Sequence, residues 1–347
     1  MREIPVAASR PYRVFLGGGL LPTLGERLSA IHESCTVVIV SGPRVWPLYG
    51  ETVEKALTDS GFRVLHFLHP DGEDAKSLTV YGELLSFLCE NRLSRSDLLL
   101  ALGGGVTGDL CGFAAATYQR GMDYVQVPTT LLAMVDSSVG GKTALNLPGG
   151  KNQVGAFYQP LAVFADTDTL STLPPVQLRS GLGEVVKYAL MGDETLFSAL
   201  ERGQDPCEET ILERCIVMKR DIVERDEHDT GERQLLNLGH SFGHAVEACS
   251  GYTLPHGIAV GIGLAIIGRY AHQQGLFADG ELARLLSLLN RLNLPTDCEY
   301  GKAALLHALV ADKKRRGDAI TLILPRSIGH CERRSVALTA LDEQLTI

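Results

Sequence analysis

The chain carries little of what marks several common protein classes. Its eight cysteines never stand in a C-x-x-C spacing, and most lie among apolar neighbours. That pattern excludes a zinc finger or a disulfide framework and points to buried, reduced thiols. Basic residues are outnumbered, giving a net charge of -9 over 347 residues. Neither nucleic acid nor an anionic membrane is therefore expected as a partner. No aromatic residues interleave with basic ones as a nucleic-acid surface would require. The most apolar stretch, residues 258–267, is broken by Gly261 and Gly263 and falls far short of a membrane span. No basic segment with an apolar core opens the sequence, so a cytoplasmic protein is expected. There is no G-x-S-x-G elbow and no P-loop, because Asp136 stands where Gly141-Lys142-Thr143 would need its earlier glycine. Internal repeats, low-complexity tracts and heptad arrays are also missing.

What is there is an ordinary globular composition, 45% hydrophobic and 21% charged, long enough for two domains. In the first half, strands are expected at residues 12–16, 35–40, 63–67, 98–102, 124–127 and 162–164. Helices are expected at 20–31, 45–58, 78–90 and 110–117. Such alternation implies a parallel sheet covered on both faces. Thr172-Leu173-Pro174-Pro175 punctuates the chain, dividing it into an α/β domain, residues 1–173, and a second domain, residues 174–347. Beyond the prolines helical periodicity dominates, with helices expected at 177–190, 194–201, 208–225, 234–249, 258–274, 280–292 and 303–311. One isolated strand is expected at 320–324.

Gly103-x-Gly105-x-x-Gly108 follows a buried strand and opens a helix. This is the form of a dinucleotide fingerprint, in which glycine admits a pyrophosphate and the helix start supplies free N–H groups. The acidic residue expected about 20 positions on is absent, and Thr129 and Thr130 stand there instead. Asp71-Gly72-Glu73-Asp74-Ala75-Lys76, after the third strand, is either the missing ribose partner or a solvated turn. His240 and His244 share a helix face at i, i+4, His256 opens the next helix, and Glu184 lies on the first helix of the second half. One carboxylate with two or three of these imidazoles would make an open divalent-metal site, zinc first. The plainer alternative is a set of helix-end histidines bonding backbone carbonyls. Cations stand beside glycine or in apolar surroundings at Arg120, Lys142, Lys151, Lys187, Lys219, Arg233, Lys313 and Lys314. If they converge they would suit a small anionic substrate. Surface placement is the better reading for any one of them except Lys142 and Lys151, which are read as glycine-loop residues.

Together these segments resemble the 3-dehydroquinate synthase family. The match runs through residues 71–77, 103–109, 118–142, 149–158, 183–188, 233–247, 254–257 and 312–314, nearly the whole chain in family order. The resemblance implies a Rossmann-like NAD-binding α/β domain, a mostly α-helical metal- and substrate-binding domain, a site in the cleft between them, and a homodimer. It implies Glu184, His240 and His256 as ligands of zinc or cobalt, with His244 on the substrate side. It implies NAD contacts at Asp71, Gly72, Glu73, Asp74, Ala75 and Lys76, and at Gly105, Val106, Thr107, Gly108 and Asp109. Further NAD contacts would be Thr129, Thr130, Lys142, Lys151, Thr169, Leu170, Ser171 and Thr172. Substrate-binding or catalytic groups would be Arg120, Asp136, Lys142, Asn152, Lys187, Lys219, Arg233, Asn237 and His244, with one or both of Lys313 and Lys314. Three positions depart from the family pattern: Ser41-Gly42 near the adenosine, Asp229 in place of Glu, and Ser241 in place of Thr.

The implied activity converts 3-deoxy-D-arabino-heptulosonate 7-phosphate to 3-dehydroquinate and phosphate, a lyase step of the shikimate pathway. Hydride would be borrowed by NAD and returned, so NAD is catalytic. A metal-dependent polyol dehydrogenase of the glycerol-dehydrogenase type would share the glycine loop and the metal site, but would consume NAD. A sister sugar phosphate cyclase would act on another phosphorylated sugar. Arg233-x-x-x-Asn237-x-x-His240 favours the shikimate enzyme. The intact ligand set and Lys142 disfavour a nucleotide sensor.

Overall fold

Leu98, Leu100 and Leu102 pack into one apolar cluster and Leu99 and Ala101 into another, as a strand buried on both faces requires. This strand lies inside a seven-stranded sheet in the computed structural model, which describes residues 1–311, 315–316 and 319–346. Lys313 and Lys314 lie outside the described residues. The chain divides into two compact units, Met1–Leu173 and Pro174–Ile347.

The sheet of the first unit contains β1 (Arg2–Val6), β2 (Tyr12–Gly17), β3 (Thr36–Ser41), β4 (Arg63–Leu68), β5 (Leu98–Gly103) and β6 (Asp123–Pro128). A separate hairpin, β7 (Lys142–Leu147) and β8 (Gly150–Phe157), precedes its last member, β9 (Ala162–Asp166). The order is β1-β2-β9-β6-β5-β3-β4. All pairs are parallel except β1 with β2. Helices α1 (Leu24–Ser29) and α2 (Glu51–Asp59) cover one face; α3 (Leu78–Glu90) and α4 (Gly105–Thr117) cover the other. From β3 the chain steps outward to β4, then crosses back to β5 on the other side of β3. The reversal falls between β3 and β5, and ligands of such sheets bind outside the strand ends at that point.

Three features of this unit differ from the sequence reading. β1 is an added antiparallel edge. The helix expected at 45–58 begins as a π turn, Trp46–Gly50, before α2. Lys142 and Lys151 stand in β7 and β8 rather than in glycine loops, because Pro148-Gly149 forms a tight turn that lets flanking strands pair.

The second unit begins with α5 (Pro175–Gly192), α6 (Glu194–Glu201) and α7 (Glu209–Arg225). α8 (His240–Cys249), α9 (His256–Gln273), α10 (Asp279–Arg291) and α11 (Lys302–Ala311) follow. The unit closes with β10 (Arg315–Arg316), β11 (Ala319–Ser327), β12 (His330–Ala337) and α12 (Leu338–Gln344). The strand expected alone at 320–324 is therefore the centre of a three-stranded antiparallel sheet. The run at 258–267 is buried at every position, which makes α9 the central helix, packed by α5, α8, α10 and β11. No helix among the described residues is long and apolar enough to cross a membrane.

Glycine sets the distance at which α9 meets its neighbours. A Cβ at Gly183 would sit 1.9 Å from the Gly257 carbonyl oxygen, and one at Gly257 would sit 1.7 Å from that of Ser180. Gly239, Gly243 and Gly263 do the same between α8 and α9. Both obstacles at the α5–α9 crossing are backbone, so relaxation means moving a helix. Gly183→Ala or Gly257→Ala should cost about 1–3 kcal/mol or more through overpacking. Denaturant unfolding checks this, and a loss below about 0.5 kcal/mol would mean the helices can part freely.

Candidate active site

In the second unit, Glu184 lies on α5 one residue past Gly183, and it has no solvent exposure. Neither of its oxygens accepts a hydrogen bond of good angle. Lys187 Nζ, one helical turn on, stands 2.6 Å from Oε2. His240 Nε2 and His256 Nε2 stand 3.4 and 3.3 Å from Oε1. Burial disfavours the charged form of Glu184, but Lys187 first and then His240 outweigh it and hold the carboxyl well below its usual range. A buried anion needs such company, since an unpaired one costs several kcal/mol.

The imidazole tautomers follow from their other contacts. His240 Nδ1 lies 3.1 Å from the Leu238 carbonyl oxygen, which can only accept. Nδ1 therefore carries the hydrogen and Nε2 keeps its lone pair toward Glu184. His256 Nδ1 donates to Glu247 Oε2 at 3.0 Å, again leaving Nε2 toward Glu184. Burial pushes the His240 pKa down. Burial also opposes charge on His256, but the Glu184 and Glu247 carboxylates beside it overcome this and push that pKa up.

Glu184, His240 and His256 thus offer one oxygen and two nitrogens, all within 4.8 Å of one another. A buried carboxylate oxygen with the Nε2 atoms of two imidazoles turned toward it is a donor set that fits a divalent cation. His244, Glu247 and His256 form a second possible group, but there the His256 nitrogen nearest Glu247 is a donor. His244 lies beside the triad, its ring 5.5 and 5.7 Å from those of His240 and His256.

Sequence reasoning missed Glu247, which fixes the ring of His256. Its signal was present: residues 240, 244 and 247 follow i, i+4, i+7 on one helix face. The helix expected at 234–249 is broken. A 3-10 turn spans Glu232–Asn237, and α8 starts only after Gly239, whose φ is +75°. That break frees the Leu238 carbonyl for His240.

Lys187, Lys219 and Arg233 are all buried, which is uncommon for cationic side chains. Their elements, α5, α7 and the 232–237 turn, pack on one another. Asn237 donates to the Gln234 carbonyl. Arg233 donates to the Glu227 carbonyl. The loop carrying it is organised by Asp226, which accepts from the backbone N–H groups of Thr230, Gly231 and Arg233. Partial burial of Asp226 opposes its ionisation, but these N–H groups pull its pKa down to about 2.

In the first unit, Gly103 ends β5 and Gly104 caps α4. The N–H groups of the first turn have no partners within the helix, which makes an anion site. It lies at the topological reversal. Close approach explains the glycines here: a Cβ at Gly103 would meet Thr107 Oγ1 at 2.4 Å, and one at Gly105 would meet Ser137 Oγ at 2.9 Å. Thr129 donates its backbone N–H to Gly103, and Thr130 Oγ1 accepts from Ala133. His69, unremarked in the sequence, holds Thr107 Oγ1 at 2.9 Å. Asp71 pairs with Arg44 at 2.5 Å, and Lys76 with Asp109 at 2.5 Å. The segment Thr169–Thr172 forms a 3-10 turn whose Thr172 hydroxyl meets Tyr49. Asp136 lies in a π turn, Ala133–Ser137, before Lys142 and β7.

Arg120 is not brought to this loop. β5 and β6 run parallel with Leu98 opposite Asp123 and Gly103 opposite Pro128. Arg120 therefore lies at the strand starts, about 17–20 Å from the glycine loop. There it lines a hollow of about 680 Å³ with Arg95, Asp123 and Tyr158. Gln119 and Arg120 both adopt positive φ, 47° and 69°, a strained pair of the kind found at functional sites.

Two outcomes are expected. Glu247→Ala should weaken divalent-metal binding about 10- to 100-fold, as loss of an orienting carboxylate does; competition with a chromophoric chelator measures it, and unchanged affinity would remove Glu247 from the site. Asp226 has a depressed folded-state pKa, so its contribution to stability is present above the unfolded value of about 3.9 and is lost as pH falls through about 2. Asp226→Asn should therefore lose stability at pH 6 but converge with the parent near pH 2 in denaturant unfolding.

The chain is similar to several known proteins along most of its length. The family model described as 3-dehydroquinate synthase N-terminal matches residues 66–180. The model described as 3-dehydroquinate synthase C-terminal matches residues 181–315. The 3-dehydroquinate synthase of Pelobacter propionicus is 44% identical over 343 residues, covering 96% of this chain and 94% of its own. A 2-deoxy-scyllo-inosose synthase solved with carbaglucose-6-phosphate, NAD+ and Co2+ is 26% identical, with a TM-score of 0.88, over 99% of this chain and 98% of its own. A 2-epi-5-epi-valiolone synthase from Streptomyces hygroscopicus, solved with NAD+ and Zn2+, is 29% identical with the same score and coverage. The chain belongs to the 3-dehydroquinate synthase family.

Proposed function

We propose that the protein is a lyase converting 3-deoxy-D-arabino-heptulosonate 7-phosphate to 3-dehydroquinate and phosphate. The observation that carries this is the Glu184–His240–His256 triad, with Lys187 against Glu184 and two further buried cations, Lys219 and Arg233, on elements packed with α5. A metal alone would suit many reactions; a metal with three buried cations suits a polyanionic, hydroxyl-bearing substrate. The 44% identity to a 3-dehydroquinate synthase favours this cyclase over its sisters, whose solved structures are 26–29% identical.

Glu184, His240 and His256 would hold the cation, with zinc favoured by one carboxylate and two imidazoles. The first-turn N–H groups of α4 would take the NAD pyrophosphate, with Thr107, Thr129, Thr130 and the 71–76 segment around the nucleotide. When bound, the cation supplies a Lewis acid for vicinal hydroxyls, and NAD supplies a reversible hydride acceptor. Lys187, Lys219, Arg233 and Asn237 would bind phosphate and carboxylate, and Asp136, Lys142, Lys151 and Asn152 are the further contacts that the family resemblance implies. Holding one molecule at both ends can contribute about 7–11 kcal/mol through positioning. His244 is the proton-transfer group beside the metal triad. The setting is the cytoplasm, in keeping with eight free cysteines.

The active form is a homodimer. Arg120 is too far from its own glycine loop to share a ligand with it, so its role as a substrate contact is met by serving the partner copy. Arg120→Ala and Glu184→Ala, each inactive alone, should regain up to about a quarter of parent activity after subunit exchange, the share of intact sites in a statistical mixture of dimers. No recovery, with exchange confirmed, would mean that Arg120 serves its own subunit and not the partner copy.

The reaction itself is tested by supplying the heptulosonate phosphate with trace NAD. Phosphate release should run for many turnovers per NAD, without build-up of reduced nicotinamide, and should stop with chelator. Stoichiometric NADH would instead mark a polyol dehydrogenase.

A further inference from the structure

Lys76 was implicated above as a cofactor contact, yet its side chain is only 5% exposed and its ammonium is engaged inside the protein. Nζ donates to Asp109 Oδ2 at 2.5 Å and to Asn152 Oδ1 at 2.6 Å. An ammonium has no acceptor, so Asn152 must turn its carbonyl oxygen to Lys76, and its NH2 faces away. The backbone agrees. Asn152 N–H donates to Asn146 Oδ1 at 2.9 Å, and Asn146 Nδ2 donates to Glu73 Oε2 at 2.8 Å. Asn146 N–H closes the ring by donating to the Lys76 carbonyl at 2.7 Å. Each amide in this ring has one orientation that satisfies its neighbours. Asn152 is held there at φ +54°, a left-handed conformation that asparagine tolerates better than most residues.

We propose that Lys76 is a positioning residue for the substrate rather than a cofactor contact. It locks the Asn152 amide so that its NH2 is offered to an acceptor oxygen of the phosphorylated sugar. The ring joins the 73–76 segment, α4 and the β7–β8 hairpin, so it ties the nucleotide-side loop to a substrate-side group within one unit. This rests on the substrate reading above.

The test is a double-mutant cycle with Lys76→Met and Asn152→Ala, read in kcat/KM for the heptulosonate phosphate and in NAD affinity by calorimetry. Each single variant should lose about tenfold or more in kcat/KM. The double variant should fall no more than about threefold below the worse single, because Lys76 acts through Asn152. NAD affinity of Lys76→Met should stay within about threefold of the parent. Losses that multiply to about a hundredfold, or a tenfold loss of NAD affinity, would overturn the proposal. Should Lys76→Met fail to fold, Asn146→Ala takes its place in the cycle with the same outcomes, since it releases Asn152 from the other side. A parent that frees no phosphate sinks the substrate reading instead. The same cycle read in thermal midpoints then still decides whether Lys76 holds Asn152, additive shifts counting against it.

Discussion

A carboxylate with no access to solvent governs the second unit. Glu184 is stable as an anion only because Lys187, His240 and His256 surround it, and each must be delivered from a different helix or helix turn. The glycines answer that demand. Gly183 and Gly257 let α5 and α9 touch backbone to backbone, which sets Glu184 against the first residue of α9, His256. Gly239 turns the chain so that α8 begins at His240. Removing the carboxylate would leave two imidazoles and a lysine crowded without a counter-charge. The close crossings would then serve nothing that an ordinary helix pair could not.

The first unit solves a different problem, the binding of a large anion without a large positive field. The net charge is -9, so attraction must be local. Backbone N–H groups at the start of α4, at the strand reversal between β3 and β5, are suited to supply it. The glycines there admit hydroxyls, Thr107 and Ser137, rather than solvent. Beside them, lysine is used as an internal fastener: Lys76 joins α4 to the hairpin. Several charges in this protein thus serve geometry: Lys76 fastens the first unit and Lys187 pairs with the buried Glu184 of the second.

Local chemistry was readable wherever it was also periodic. α3 and α6 match their expected limits, and β3, β4, β5 and β6 match within a residue or two, because their apolar runs are bounded by turn residues. Family resemblance, not spacing, separated His244 from the metal ligands. Sequence could not show what depends on contacts far apart in the chain. β1 is too polar to read as a strand until it pairs with β2. β7 and β8 looked like loop because glycine is dense there, yet a hairpin needs only a turn and two pairable flanks. The break before His240 hid inside an apolar pattern that kept helical period across Gly239. The position of Arg120, at the opposite end of the sheet from the glycine loop, follows from parallel register and is invisible in a motif.

The role of the buried Glu184 carboxylate is tested most directly by where a metal ion binds. Anomalous diffraction at the zinc edge, on crystals grown with zinc, would place it. The expected result is one ion at about 2.0–2.2 Å from a Glu184 oxygen and from the Nε2 atoms of His240 and His256. An ion held instead by His244, Glu247 and His256, or none at Glu184 with zinc in excess, would contradict the role given to the buried carboxylate.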